Sequence, residues 1–149
     1  MRVVVQRVSG AHVEVDGERV GRIDRGLLVY LGVGREDDLD DAQFIAEKLV
    51  HMRIFEDENG KMNLSLLDVG GQILLISNFT LHGDCRKGRR PGFDRAAEPQ
   101  SANDLYEKTI ELVRKSGVDV ACGRFGGHMH VTCTNDGPVT FILDSKRLF

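Results

Sequence analysis

The sequence predicts one α/β domain in which two amphipathic helices pack on a mixed β-sheet. Three observations carry this expectation. Two segments repeat their apolar residues at helical spacing, and about eight or nine others read as strands. Hairpin signals stand beside continuous apolar runs, so antiparallel and parallel pairing are both expected, unlike in a doubly wound parallel sheet. The length of 149 residues suits a single domain spanning 1–149. No linker, repeat or low-complexity segment divides it.

The opening third is strand-rich. Arg2 to Val8 is short and β-branched, and His12-Val13-Glu14-Val15 alternates before Asp16-Gly17, a two-residue hairpin turn. Gly26 to Val33 is continuously apolar, as expected of a strand buried on both faces. Five carboxylates then fall within six residues, at Glu36, Asp37, Asp38, Asp40 and Asp41. Carboxylates cap free N–H groups and meet the positive end of a helix dipole, so this run is a helix start. Ala42, Ile45, Ala46 and Leu49 supply that helix's buried stripe.

Asn59-Gly60 marks a turn, and Gly70-Gly71 introduces a strongly apolar strand from Gln72 to Phe79. Pro99 starts the second helix, with Ala102, Leu105, Tyr106, Thr109, Ile110 and Val113 as its stripe and Gly117 just past its end. Asp104 with Lys108 and Glu111 with Lys115 are favourable i, i+4 pairs. Three last strands are expected around Asp119 to Phe125, Met129 to Thr134 and Val139 to Leu143, with Asn135-Asp136-Gly137-Pro138 as turn chemistry between the final two.

Hydrophobic residues make up 41% and charged residues 29%, which excludes disordered and fibrous classes. No apolar run approaches the ~20 residues of a membrane span. The start shows no export signal, so the expected address is cytoplasmic. Three widely spaced cysteines, Cys85, Cys122 and Cys133, argue against a disulfide framework or a cysteine zinc site. The net charge is −3, yet residues 84 to 95 carry a net +3 through Arg86, Lys87, Arg89, Arg90 and Arg95. Such a loop is either a solvated face or a set of phosphate contacts.

Several motifs invite chemistry. Gly32-Val33-Gly34 lacks the third glycine and the lysine of nucleotide-binding loops, which dismisses phosphate binding there. His128 and His130 share a strand face but have no third ligand nearby. Cys85 has basic neighbours but no base fixed by the sequence. Ser77-Asn78-Phe79-Thr80-Leu81 ends the most apolar strand and opens into the basic loop, where sites are commonly built. His82 shares a face with Thr80 only if the strand continues.

Taken in order, these motifs resemble one family. They are Val5-Gln6-Arg7-Val8, Arg53-Ile54-Phe55, Gly60-Lys61-Met62-Asn63, Ser77-Asn78-Phe79-Thr80-Leu81, Gly88-Arg89-Arg90-Pro91-Gly92-Phe93, Gly123-Arg124-Phe125-Gly126-Gly127-His128-Met129 and Asn135-Asp136-Gly137-Pro138-Val139-Thr140. The sequence resembles the D-aminoacyl-tRNA deacylases over essentially its whole length. The resemblance implies a three-layer α/β fold, a cytoplasmic homodimer and no metal or organic cofactor. It implies hydrolysis of the ester joining a D-amino acid, or glycine, to the 3′-terminal ribose of tRNA.

By the same resemblance Ser77, Asn78, Phe79 and Thr80 form the catalytic strand, with the Phe79 and Thr80 N–H groups facing the carbonyl oxygen. Gly137-Pro138, in cis, reaches the partner's site and excludes L-amino acids, with Met129 also on the substrate. Lys87, Arg89 and Arg90 would take the phosphates of the aminoacyl-tRNA. Two positions depart from the family. Asn78 replaces its usual Gln and reaches one methylene less, and Gly127-His128 stands where Ala is frequent. Two other readings stay open: an RNA-end-binding module without catalysis, and a hydrolase with Thr80 or Cys85 as covalent nucleophile.

Overall fold

β1 (Arg2–Val15) is the strand on which the sheet is assembled. The computed structural model describes residues 1–149. Along β1, Val3, Val5, Val8, Ala11, Val13 and Val15 are buried, and the two predicted segments form one strand. Its first half pairs antiparallel with β3 (Gly26–Gly32), its second half with β2 (Glu18–Ile23), and its other edge with β8 (His130–Asp144). β3 pairs parallel with β6 (Gln72–Ser77), and β6 parallel with β7 (Val120–Cys122). β4 (Phe55–Glu56) and β5 (Met62–Leu64) form a separate small hairpin.

The sheet curls until β2 meets β7. A Cβ on Gly21 would lie 2.6 Å from the Cys122 carbonyl oxygen, so only glycine fits there. Inside the curl lie Val8, Ala11, Val13, Ile23, Leu28, Leu74 and Ile76. On the outer face Val3, Val5, Leu27, Val29, Leu31, Ile73 and Leu75 pack with α1 (Leu39–His51) and α2 (Pro99–Lys115). Two walls of one curled mixed sheet and a helical layer make three layers, the α/β class expected. No helix is long and apolar enough to cross a membrane.

The acidic run is the predicted helix start. Asp38 caps α1 by accepting from the N–H groups of Asp40 and Asp41, and the Asp41 carboxylate accepts from the Asp38 N–H in return. α2 opens on Pro99 and ends before Gly117, whose φ of +87° suits the residue after a helix. Lys108 pairs with Glu111 at 2.8 Å instead of with Asp104.

Two expectations fail where they matter most. The strand predicted from Gln72 to Phe79 stops at Ser77, and Phe79–His82 forms a 3₁₀ turn. Asn78 N–H makes the last sheet bond, to Leu31 O at 2.8 Å, before the chain folds over the end of β3. Likewise Met129–Thr134 and Val139–Leu143 are not a hairpin around a turn. Both halves pair with β1, so they form the single strand β8. Between the pairs Val8–Asn135 and Gln6–Thr140, five steps on β8 span two on β1, and Asp136 to Val139 bulge out.

Candidate active site

The carboxyl ends of parallel strands β3 and β6 open onto a cavity of about 530 Å³, the position where α/β sheets usually hold ligands. Leu31, Ile76 and Ser77 form its strand side, Ala102 and Tyr106 its helix side, and Phe125 and Met129 a further wall. The buried Tyr106 hydroxyl donates to Leu75 O at 2.8 Å, which fixes its ring against Phe125 at 5.8 Å. Burial, then the nearby Cys122, push that phenol far above its ordinary range. Tyr106 is therefore a neutral apolar wall here and not an acid–base group.

Of the residues expected to act, Ser77, Asn78, Phe79 and Met129 line the cavity. Thr80 is exposed at its edge, and its hydroxyl donates to Asn78 Oδ1 at 2.5 Å. Phe79 leads the 3₁₀ turn, and Asn78 before it makes no capping hydrogen bond. The first N–H groups of such a turn have no partner within it, so those of Phe79 and Thr80 remain free to bind an oxygen. His82 does not face Thr80, because the strand has already ended. Its ring packs against Gly32 and Gly34 behind the turn. Burial holds its pKa below the ordinary histidine value, and its buried Nε2 has no hydrogen-bond partner.

Gly137 and Pro138 lie outside this cavity, on the exposed bulge of β8. Their peptide bond is cis. Gly137 has φ +140°, and a Cβ there would come within 2.6 Å of Val139 Cγ2. The bulge is held from beneath. Arg7, 5% exposed, donates through Nε to Asp136 O at 3.2 Å and through Nη1 to Ile54 O at 2.8 Å. Asn135 Nδ2 donates to Arg7 O and to Val139 O, each at 3.0 Å. Sequence reading gave Arg7 no role of its own. The available signal was a charge among buried valines, since a buried guanidinium demands partners.

The basic loop follows the 3₁₀ turn directly. Reciprocal backbone bonds between Asp84 and Gly92, at 2.8 and 2.9 Å, close it. Arg86 is tied to Asp84 at 2.5 Å. Lys87, Arg89 and Arg90 project into solvent. Phe93, from the same loop, packs edge-on against Phe79 at 5.0 Å, joining the loop to the cavity mouth. The His128 and His130 rings stand 5.1 Å apart, and His128 lines the cavity. No three His, Cys, Asp or Glu residues are placed to hold a metal ion.

Comparison with known proteins identifies the family. The family described as D-Tyr-tRNA(Tyr) deacylase matches residues 4–144, which include every site residue named above. The chain belongs to the D-aminoacyl-tRNA deacylase family. It is 58% identical over 149 residues to the D-aminoacyl-tRNA deacylase of Fervidobacterium nodosum, covering all of both chains. With that of Bacillus licheniformis it shares 60% over 146 residues, 98% of this chain and 99% of the relative. A solved structure of a c-Myc DNA unwinding element binding protein superposes with a TM-score of 0.91 at 38% identity, over 97% of this chain and 98% of that one. Asn78, Gly127 and His128, where the sequence departs from the pattern it resembles, all line this cavity.

Proposed function

We propose that this deacylase-family enzyme hydrolyses the ester between a D-amino acid, or glycine, and the terminal ribose of tRNA. Water adds to the ester carbonyl carbon, giving a tetrahedral oxyanion. Collapse breaks the bond to the ribose oxygen, which takes up a proton, leaving free amino acid and intact tRNA. The observation that carries this reading is the 3₁₀ turn at the cavity mouth, whose leading Phe79 and Thr80 N–H groups are uncommitted. Fixed donors aimed at a developing oxyanion stabilise it without reorganisation.

The Thr80 hydroxyl already donates to Asn78, and no imidazole faces it. That arrangement favours Thr80 as a positioning group over a nucleophile, which would need a base. Lys87, Arg89 and Arg90 lie one loop away, where acceptor-end phosphates would pass.

Rejection of an L-amino acid cannot rest on size, because enantiomers share it. It needs a rigid wall where the wrong side chain points. Gly137-Pro138 is suited to that role but lies exposed outside its own cavity, so in this reading it serves the site of a second protomer. The free edge of β8 supports a dimer. It is a 15-residue strand with Phe141 and Ile142 36% and 56% exposed, an edge that proteins otherwise cover.

The test is single-turnover deacylation of matched D-, L- and glycyl-tRNAs. D-aminoacyl- and glycyl-tRNA should be cleaved and the L form spared. Binding with every ester left intact would support a nucleic-acid-end module instead, a reading the exposed basic loop favours. A trapped acyl-enzyme would assign a covalent nucleophile, Thr80 or Cys85 according to which residue carries the acyl group.

A further inference from the structure

Gly32 and Gly34 sit at the end of β3 directly under the 3₁₀ turn. Neither has a positive φ, so space and not backbone freedom explains them. A Cβ on Gly32 would lie 2.9 Å from Asn78 O and 3.1 Å from both Leu81 Cβ and His82 Cδ2. A Cβ on Gly34 would lie 3.1 Å from His82 Cε1 and from Asp37 Oδ2. The underside of the turn therefore occupies the space that two side chains would fill.

Arg2 holds the same turn from β1. Its Nη1 donates to Leu81 O at 2.9 Å, while Nε and Nη2 both donate to Asp144 Oδ2 at 3.1 Å. A carbonyl at the end of a short helical turn lacks an intrahelical partner, and Arg2 provides one. Within the turn, Gly83 N–H donates to Thr80 O at 2.9 Å. A glycine seat and an arginine clamp thus fix this segment against β3 and β1.

We propose that Gly32, Gly34 and Arg2 are positioning residues that set where the Phe79 and Thr80 N–H groups point. The proposal rests on the reading that these two amides hold the oxyanion. Such donors act only if they sit within hydrogen-bond reach of the oxygen of the transition state. Moving the turn by a few tenths of an ångström removes an interaction made in the transition state and leaves ground-state binding alone. The signature is a fall in kcat without a rise in KM.

The experiment compares wild type with Gly32→Ala, Gly34→Ala, Gly34→Ala/His82→Ala, Arg2→Ala and Arg2→Lys. Kinetics on D-aminoacyl-tRNA are read beside the Kd of a non-hydrolysable, amide-linked D-aminoacyl-adenosine and the cooperativity of thermal unfolding. Gly32→Ala should lower kcat at least tenfold, with KM and Kd within twofold of wild type. His82→Ala should recover part of the Gly34→Ala loss, because the imidazole is one of the two groups the new methyl meets, Asp37 Oδ2 being the other.

Arg2→Ala adds no atoms to the seat and keeps the proposal testable if Gly32→Ala fails to fold. It should lower kcat severalfold at unchanged KM, with partial rescue in Arg2→Lys. A Gly32→Ala enzyme with kcat within twofold of wild type overturns the seat, as does a parallel change of kcat and KM. Wild-type kcat in Arg2→Ala overturns the clamp. If wild type itself spares D-aminoacyl-tRNA, the reading of the site fails and takes this proposal with it.

Discussion

Two short irregular segments break the sheet, and an arginine of β1 pins each one. The 3₁₀ turn Phe79–His82 is held through Leu81 O by Arg2, and the bulge Asp136 to Val139 through Asp136 O by Arg7. Their surroundings differ. The turn folds over Gly32, and its leading Phe79 lines the cavity of its own chain. The bulge is equally well anchored yet points into solvent, and neither Gly137 nor Pro138 lines any part of that cavity. Ordering a loop costs conformational entropy, and the bonds from Arg7 and Asn135 offset it; the dimer proposed above would give the exposed bulge its use.

The sharpest break in that comparison would come from separating the protomers of the proposed dimer. Phe141→Asp combined with Ile142→Asp places two charges on the exposed edge of β8. A monomer is expected, with a loss of about a hundredfold in kcat/KM, the scale seen when a site is misassembled. Sedimentation showing a monomer that still cleaves only D substrates would dissolve the distinction between turn and bulge.

Changing the bulge alone comes next. Gly137→Ala sets a side chain at φ +140° against Val139. Strain of about 1–3 kcal/mol is expected to reshape the bulge. Preference for D over L esters should fall by about five- to a hundredfold, measured on paired substrates, while the dimer persists. Unaltered selectivity would leave the bulge without a role.

On the turn's side, neutralising Lys87, Arg89 and Arg90 together to Gln should raise KM and leave kcat nearly intact. The slope of log KM against log salt should flatten by about 2–3, one phosphate contact per side chain. Arg86→Gln should do less, because that guanidinium is already paired with Asp84. The smallest effect is expected of Thr80→Ala, which removes one hydrogen bond to Asn78. That is worth about 0.5–1.5 kcal/mol, hence no more than about tenfold in single-turnover rate. A loss of several orders of magnitude would turn Thr80 into the nucleophile.

The helices were the most legible part of this sequence. Their starts and stops are local: Asp38 with Asp41, and Pro99 with Gly117, each lie within a few residues of the boundary they set. The two segments that build the site were not legible, for one shared reason. Phe79 and Leu81 keep the apolar character of a strand, and the turn they form instead takes up the space left by the missing Cβ of Gly32, far away in sequence.

Asn-Asp-Gly-Pro announces a break in pairing, but not that β1 takes up both flanks. Tyr106 and Ala102 read as core stripe residues and are that, yet the same stripe also walls the cavity. Motif resemblance named Ser77, Asn78, Phe79 and Met129, all of which line the cavity, while Arg2 and Arg7 needed their distant partners to be seen.

The pairing of β1 with β8 also bears on how the chain acquires its shape. Register Arg2–Asp144 joins residues near opposite ends of the sequence, and the register continues to Glu14–His130. Contacts of such long range are slow to form, because closing a large loop must precede any reward from pairing. During synthesis β1 emerges first and can meet β2 and β3, but its other edge stays open until residues 130–144 follow. The strand carrying both pinning arginines is thus among the first made and the last completed. Its vulnerable interval is set by the ribosome, and an exposed valine-rich edge over that interval is a natural client for a chaperone.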